Sequence, residues 1–175
     1  MAKPDIRVAT FAGPGAKPKV GTVRRPKVPG KAALVKIGAC GVCGTDRHIL
    51  KGHCPKPLPW PFALGLEAGG VIAETGEDCT EDFMGKPPDL GSKAMITPLL
   101  PCGHRHYRVH FPGTANKCLT PVSYGRHLGL GKPPHLRGGL AECVDVDLDM
   151  PPGTNVCKLH DDMSRPGAGA ADEER

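Results

Sequence analysis

The sequence predicts a mainly β fold: an open β-barrel carrying one or two short helices. Three observations support it. Glycine (24) and proline (20) supply a quarter of the 175 residues, while aromatic side chains make up only 4%. Turn residues at that density cut the chain into short segments and leave no run long enough for a helical bundle. Between the turns, short apolar stretches rich in β-branched residues recur, as strands require.

Each element follows from its own residues. Ile6–Phe11 reads as a first strand, closed by the turn Gly13-Pro14-Gly15, and residues 20–23 read as a second, ended by Pro26. Ala32–Ile37 is the clearest strand of the chain. Thr45 or Asp46 caps a short helix over residues 46–50, which Gly52 stops. The proline-rich residues 55–61 form a loop. Residues 64–75 read as strand, glycine kink and strand, the glycines marking close backbone approach or a bulge. Residues 93–97 form another strand. A loop-rich lobe over residues 98–134 gathers Cys, His and Arg without a regular period. Strands resume over residues 139–146 and near 155–159. One domain therefore spans residues 1–160, including the lobe 98–134. Residues 161–175 hold too little apolar surface to offset ordering entropy and read as a disordered tail.

Composition narrows the function classes. No apolar run approaches the roughly 20 residues that cross a bilayer, and Met1–Asp5 lacks the apolar core of a signal peptide. A cytoplasmic location with no membrane partner is expected. The formal charge of +5 is modest, and no single-sign run reaches five residues. Local density at Arg24-Arg25-Pro26-Lys27 and at Arg105–Arg108 reads as solvated surface. Nucleic-acid binding is not expected either, because the lobe has no Cys-x2-Cys spacing and only Tyr107 and Phe111 as aromatics. Eight cysteines in such a chain do not suggest a disulfide framework. Cys40, Cys54, Cys79, Cys143 and Cys157 read as small buried apolar side chains.

Two motifs carry the chemistry: Lys36-Ile-Gly-Ala-Cys40-Gly-Val-Cys43-Gly-Thr45-Asp46-Arg-His48 and Gly65-Leu66-Glu67-Ala-Gly69-Gly70. Together they resemble the catalytic-zinc region of the zinc-dependent medium-chain alcohol dehydrogenases. Leu100-Pro-Cys102-Gly, Gly138-Gly139-Leu-Ala141-Glu142 and Leu159-His-Asp161-Asp162-Met163 extend the resemblance across residues 6–163. It implies the GroES-like catalytic domain of that family, which acts on CH–OH groups of small alcohols with zinc and NAD(P).

By that resemblance Cys43 is the first zinc thiolate and Glu67 the zinc-proximal glutamate. Asp46 is the carboxylate that orients the metal-binding groups, and Thr45 and His48 are the proton relay. The family's second motif normally reads Gly-His-Glu. Leu66 occupies the histidine's place and has no lone pair to donate. Cys43 and Glu67 alone fall short of the three protein ligands a catalytic zinc requires. The resemblance puts a further ligand in or beyond residues 170–175, where Glu173 and Glu174 stand. Impaired or no independent activity is expected.

The lobe resembles the family's structural-zinc segment, a closed four-cysteine site. Cys102 and Cys118 remain, and Arg105 and Arg108 fall at the middle positions, where a guanidinium cannot ligate. His104, His106 and His110 offer an alternative Cys2His2 set with the two cysteines. No glycine cluster fits a dinucleotide fingerprint: Gly13-Pro-Gly15 holds proline in the turn, and Gly129-Leu-Gly131 runs into two prolines. A cofactor domain is therefore expected to be absent from these residues. Nucleotide would come from a separate cofactor-domain chain, and a homo-oligomer is the other expected partner. The competing expectation is a non-enzymatic oligomerisation or interaction module, or a degenerate gene product.

Overall fold

The computed structural model describes residues 5–28, 30–54, 57–82, 85–100, 122–127, 129–131, 136–147 and 156–158. Nine strands and one helix appear among them, which agrees with the mainly β reading. In chain order they are β1 (Ile6–Thr10), β2 (Lys19–Val23), β3 (Ala32–Gly41), α1 (Gly44–Leu50), β4 (Glu67–Thr75), β5 (Lys93–Ile96), β6 (Leu99–Leu100), β7 (Val122–Ser123), β8 (Cys143–Asp147) and β9 (Val156–Lys158).

Five strands form one antiparallel sheet in the order β8-β3-β4-β5-β9. Among the described residues its two edges are not paired with each other, so the sheet is open there. β1 and β2 form a separate hairpin, joined to the rest through the bridges Val8↔Ala141 and Phe11↔Phe62.

β3 lies inside the sheet, between β8 and β4, because both of its faces are apolar. Ala32–Val35 is buried without interruption. Val35 packs with Ile72, Ile96 and Val144 on one face, while Leu34 meets Ile6, Leu136 and Cys143 on the other. A third cluster of Phe11, Ile49, Phe62 and Leu64 seats α1 against the barrel. Fully burying one such side chain contributes about 1.5–3 kcal/mol, so Ile49 alone holds the short helix firmly.

The β3–β4 ladder shifts register twice, leaving one extra residue on β4 beyond Leu34 and one on β3 beyond Ile37. A Cβ on Gly70 would collide with the Lys36 carbonyl, which accounts for the glycine.

Four expectations need correction. The helix cap is neither Thr45 nor Asp46 but Cys43, because α1 starts at Gly44. The kinked double strand over residues 64–75 is a single strand that begins at Glu67. Within the 98–134 lobe, residues 99–100 and 122–123 pair as β6 and β7 rather than forming loop throughout. Cys40, Cys54 and Cys79 are only half-buried, whereas Cys143 is buried as expected. Residues 101–121, the tail 161–175 and the side chain of Cys157 lie outside the described residues. Among the described residues no helix is long and apolar enough to cross a membrane.

Candidate functional site

The end of β3 delivers the site. Cys40 faces Ala68 and Gly41 faces Glu67 across the ladder, so the two motifs, distant in sequence, lie side by side. After Gly41 the backbone turns, and Cys43 starts α1 in an extended conformation (φ −95°, ψ 178°).

Asp46 holds this corner together. One carboxylate oxygen, Oδ2, accepts the Cys43 N–H at 2.9 Å, the reciprocal bond of a helix capping box. The other, Oδ1, accepts the Gly65 N–H at 3.1 Å. Asp46 is only 1% exposed, and these two bonds satisfy a charge that burial would otherwise penalise. Asp46 thereby ties the start of α1 to the segment leading into β4.

Gly65 is confined on every side. Its φ of +99° suits glycine, and a Cβ there would lie 2.6 Å from Cys40 Sγ and 2.8 Å from the Leu140 backbone nitrogen. Its carbonyl accepts the Gly139 N–H at 2.9 Å, and Leu64 O accepts the Leu140 N–H at 3.0 Å. The Gly138-Gly139-Leu140 motif is thereby fixed against the Gly65-Leu66-Glu67 motif. Gly125 presses on the same turn, where a Cβ would come within 2.7 Å of Gly65 O.

Leu66 follows, half-buried, and then Glu67, which is exposed. Glu67 Oε2 lies 2.8 Å from where a Gly41 Cβ would sit, so its carboxylate leans over the end of β3. Cys40 registers the crowding. Burial chiefly, then the negative charges of Asp46 and Glu67 and the neighbouring Cys43, push its thiol up to about 11, and a hydrogen bond from the Glu67 backbone partly opposes the rise.

Cys43, Asp46 and Glu67 are thus brought together, with Cys40 as a member that sequence reading placed among small buried apolar side chains. The Cys40-Gly-Val-Cys43 spacing in front of a helix was the signal that could have found it. Thr45 is half-buried in the first turn of α1. His48 is exposed in the last turn and lies against His53, outside the four-residue cluster. Cys102 and Cys118 fall outside the described residues.

The donor set does not fit a catalytic zinc. Such a site needs about three nitrogen, sulfur or oxygen ligands converging on one point. Among the described residues no group of three or more His, Cys, Asp or Glu side chains does so. Leu66 puts an aliphatic side chain where an imidazole would complete the set.

Residues 29–158 match the alcohol dehydrogenase GroES-like domain. The chain belongs to that family. An alcohol dehydrogenase from Geobacillus stearothermophilus is 42% identical over 90 residues, covering 51% of this chain and 25% of that protein. The chain therefore spans about a quarter of that relative's length. An alcohol dehydrogenase from Thermotoga maritima, at 24% identity, superposes with a TM-score of 0.78 over 93% of this chain and 42% of its own, a likeness of fold. A Sinorhizobium meliloti 1021 dehydrogenase, described as zinc-binding and solved with NADP bound, gives a TM-score of 0.70 at 26% identity over 94% of this chain and 41% of its own. The residues here form an alcohol-dehydrogenase-like domain of oxidoreductase ancestry.

Proposed function

We propose that residues 1–160 are the alcohol-handling half of a dehydrogenase whose own activity is impaired, because Leu66 breaks the zinc-binding set. The observation that carries the reading is an intact support around an incomplete donor set. Asp46, Gly65 and Gly139 fix the motif segments against one another, while Cys43 and Glu67 are the two metal-side donors this reading assigns. Thr45 and His48 are assigned to proton transfer, and Asp46 to positioning. Cys102 and Cys118 are assigned to the lobe. A small alcohol is the substrate class, and the nicotinamide nucleotide is bound by residues outside 1–175.

In the family the cation makes an alcohol acidic enough to release hydride as its alkoxide. No step is assigned through it here, since the side chains do not supply its coordination. What this chain's residues do is narrower. Asp46 fixes Cys43 and the Gly65 turn, and Glu67 keeps a carboxylate at the mouth of the site.

Zinc content tests the reading. Untagged wild type and Cys43→Ser are expected to carry equal zinc by elemental analysis. Leu66→His should gain up to one equivalent, lost again in Leu66→His/Cys43→Ser. Wild-type zinc that disappears in Cys43→Ser would overturn the proposal.

An interaction module is the second reading. It is favoured by Val42, 67% exposed beside Cys43, and by Met95, 45% exposed on β5. Concentration-dependent light scattering that Val42→Ser reduces supports this reading, and a monomer at all concentrations removes it.

A further inference from the structure

Outside the Cys43–Glu67 centre, two imidazoles meet on the solvent side of α1. His48 stands in the last turn of the helix and His53 just beyond its end, and both are exposed. Their ring centroids are 5.9 Å apart, with the planes tilted by 42°. The backbone enforces the approach. Gly52, at φ +75°, reverses the chain at the helix end, with its N–H on Ile49 O at 3.0 Å. The His53 N–H then returns to His48 O at 2.9 Å.

We propose that His48 and His53 form a two-imidazole chelate for a late first-row divalent cation, with water completing the coordination shell. With metal–nitrogen bonds of about 2.0–2.1 Å, two imidazoles on one cation hold their centroids roughly 4.5–6.5 Å apart, depending on the nitrogen–metal–nitrogen angle. The observed 5.9 Å lies inside that window, at an angle of roughly 135°, and rotation of the two exposed rings would bring them toward a regular shell.

Exposure helps in two ways. The cation keeps its remaining waters, and the rings need little desolvation. Neutral imidazole suits Cu2+, Ni2+ and Zn2+ and is a poor ligand for Mg2+ or Ca2+. Arg47 and Lys51, both exposed close by, weaken the site modestly through charges that solvent screens. The chelate does not depend on the dehydrogenase reading. His53 has no part in that reading, and metal binding is read without any activity.

The probe is Ni2+ alone, which leaves thiols unoxidised, added to the full untagged chain. At substoichiometric Ni2+ the ring resonances of His48 and His53 should broaden before those of the other histidines. Calorimetry should show affinity reduced at least tenfold in both His53→Ala and His48→Gln, with circular dichroism confirming that each variant folds. An isotherm unchanged in His53→Ala, which would place the metal on other ligands of the chain, overturns the proposal. A thiolate-to-nickel charge-transfer band overturns it as well, since the ligand would then be cysteine.

Discussion

The two ends of the β3–β4 ladder treat charge in opposite ways. At the end where Leu34 faces Glu74, the Arg25 guanidinium pairs with the Glu74 carboxylate, and both side chains are about four-fifths buried, at 18% and 21% exposure. Beside this pair, the Asp78 N–H reaches the Gly30 carbonyl at 2.8 Å along the wall of a charged cavity of about 920 Å3. At the other end, where Gly41 faces Glu67, two carboxylates and two thiols crowd together without a cation described among them. Opposite charges neutralise each other at the end that only has to hold the sheet. Like groups are forced together at the end that resembles a metal centre, and the hydrogen bonds of Asp46 keep them there.

The sharpest test of that contrast removes the tie itself. Asp46→Ala leaves the N–H groups of Cys43 and Gly65 without their acceptor in a closed corner. At about 1–3 kcal/mol for each group left unsatisfied, the loss should be about 3 kcal/mol, read from the urea midpoint at unchanged slope. Asp46→Asn keeps one acceptor oxygen and should lose roughly half as much. A midpoint shift no larger than that of an exposed substitution would mean the corner is held by packing, and the contrast between the two ends would dissolve.

Next in size is the paired end. Glu74→Gln leaves Arg25 mostly buried beside a neutral amide, and the Arg25 Nε already lacks a hydrogen-bond partner in the structure. Removing one partner of a fully buried pair costs about 3–5 kcal/mol, and an exposed pair is worth ~0–1. This partly exposed pair should fall between them, at about 1–2 kcal/mol in thermal denaturation. If 1 M salt removed the difference between Glu74→Gln and wild type, the pair would belong with surface ion pairs.

The sequence revealed these two ends unequally. Ala32–Ile37 announced a strand through its apolar run, and residues 32–35 are buried within it. Gly70 announced a close approach, and the Lys36 carbonyl is what approaches. The motif singled out Asp46, but its reach to Gly65, a bond across nineteen residues of chain, was not legible. The start of α1 was misread because Thr45 and Asp46 are both strong cap residues, and a cysteine rarely outranks them. Here Asp46 works from inside the first turn and pulls the Cys43 N–H to itself, so the cap falls on the thiol. Cys40 was read as a small buried apolar side chain, but it is half-buried, and only the strand register shows that Glu67 lies beside it.

The smallest effect concerns that thiol, and it separates crowding by charge from simple burial. Thiolate is the species that alkylates, and Cys40 ionises near 11 instead of 9.0. At pH 8 its reaction with iodoacetamide should run at about a hundredth of the rate of an unperturbed thiol. The rate should then climb tenfold per pH unit until about 11. The same proton is bound more tightly by the folded chain than by the unfolded one, so the fold loses stability as pH rises above 9.0. Glu67→Gln removes one of the two carboxylate charges while leaving burial in place. Peptide-resolved mass spectrometry should therefore find Cys40 alkylated several-fold faster in Glu67→Gln at the same pH, with Cys79, raised by burial alone, unchanged. Equal rates for Cys40 in the two proteins would leave Glu67 no electrostatic part in the site and assign the shift to burial, Asp46 and Cys43.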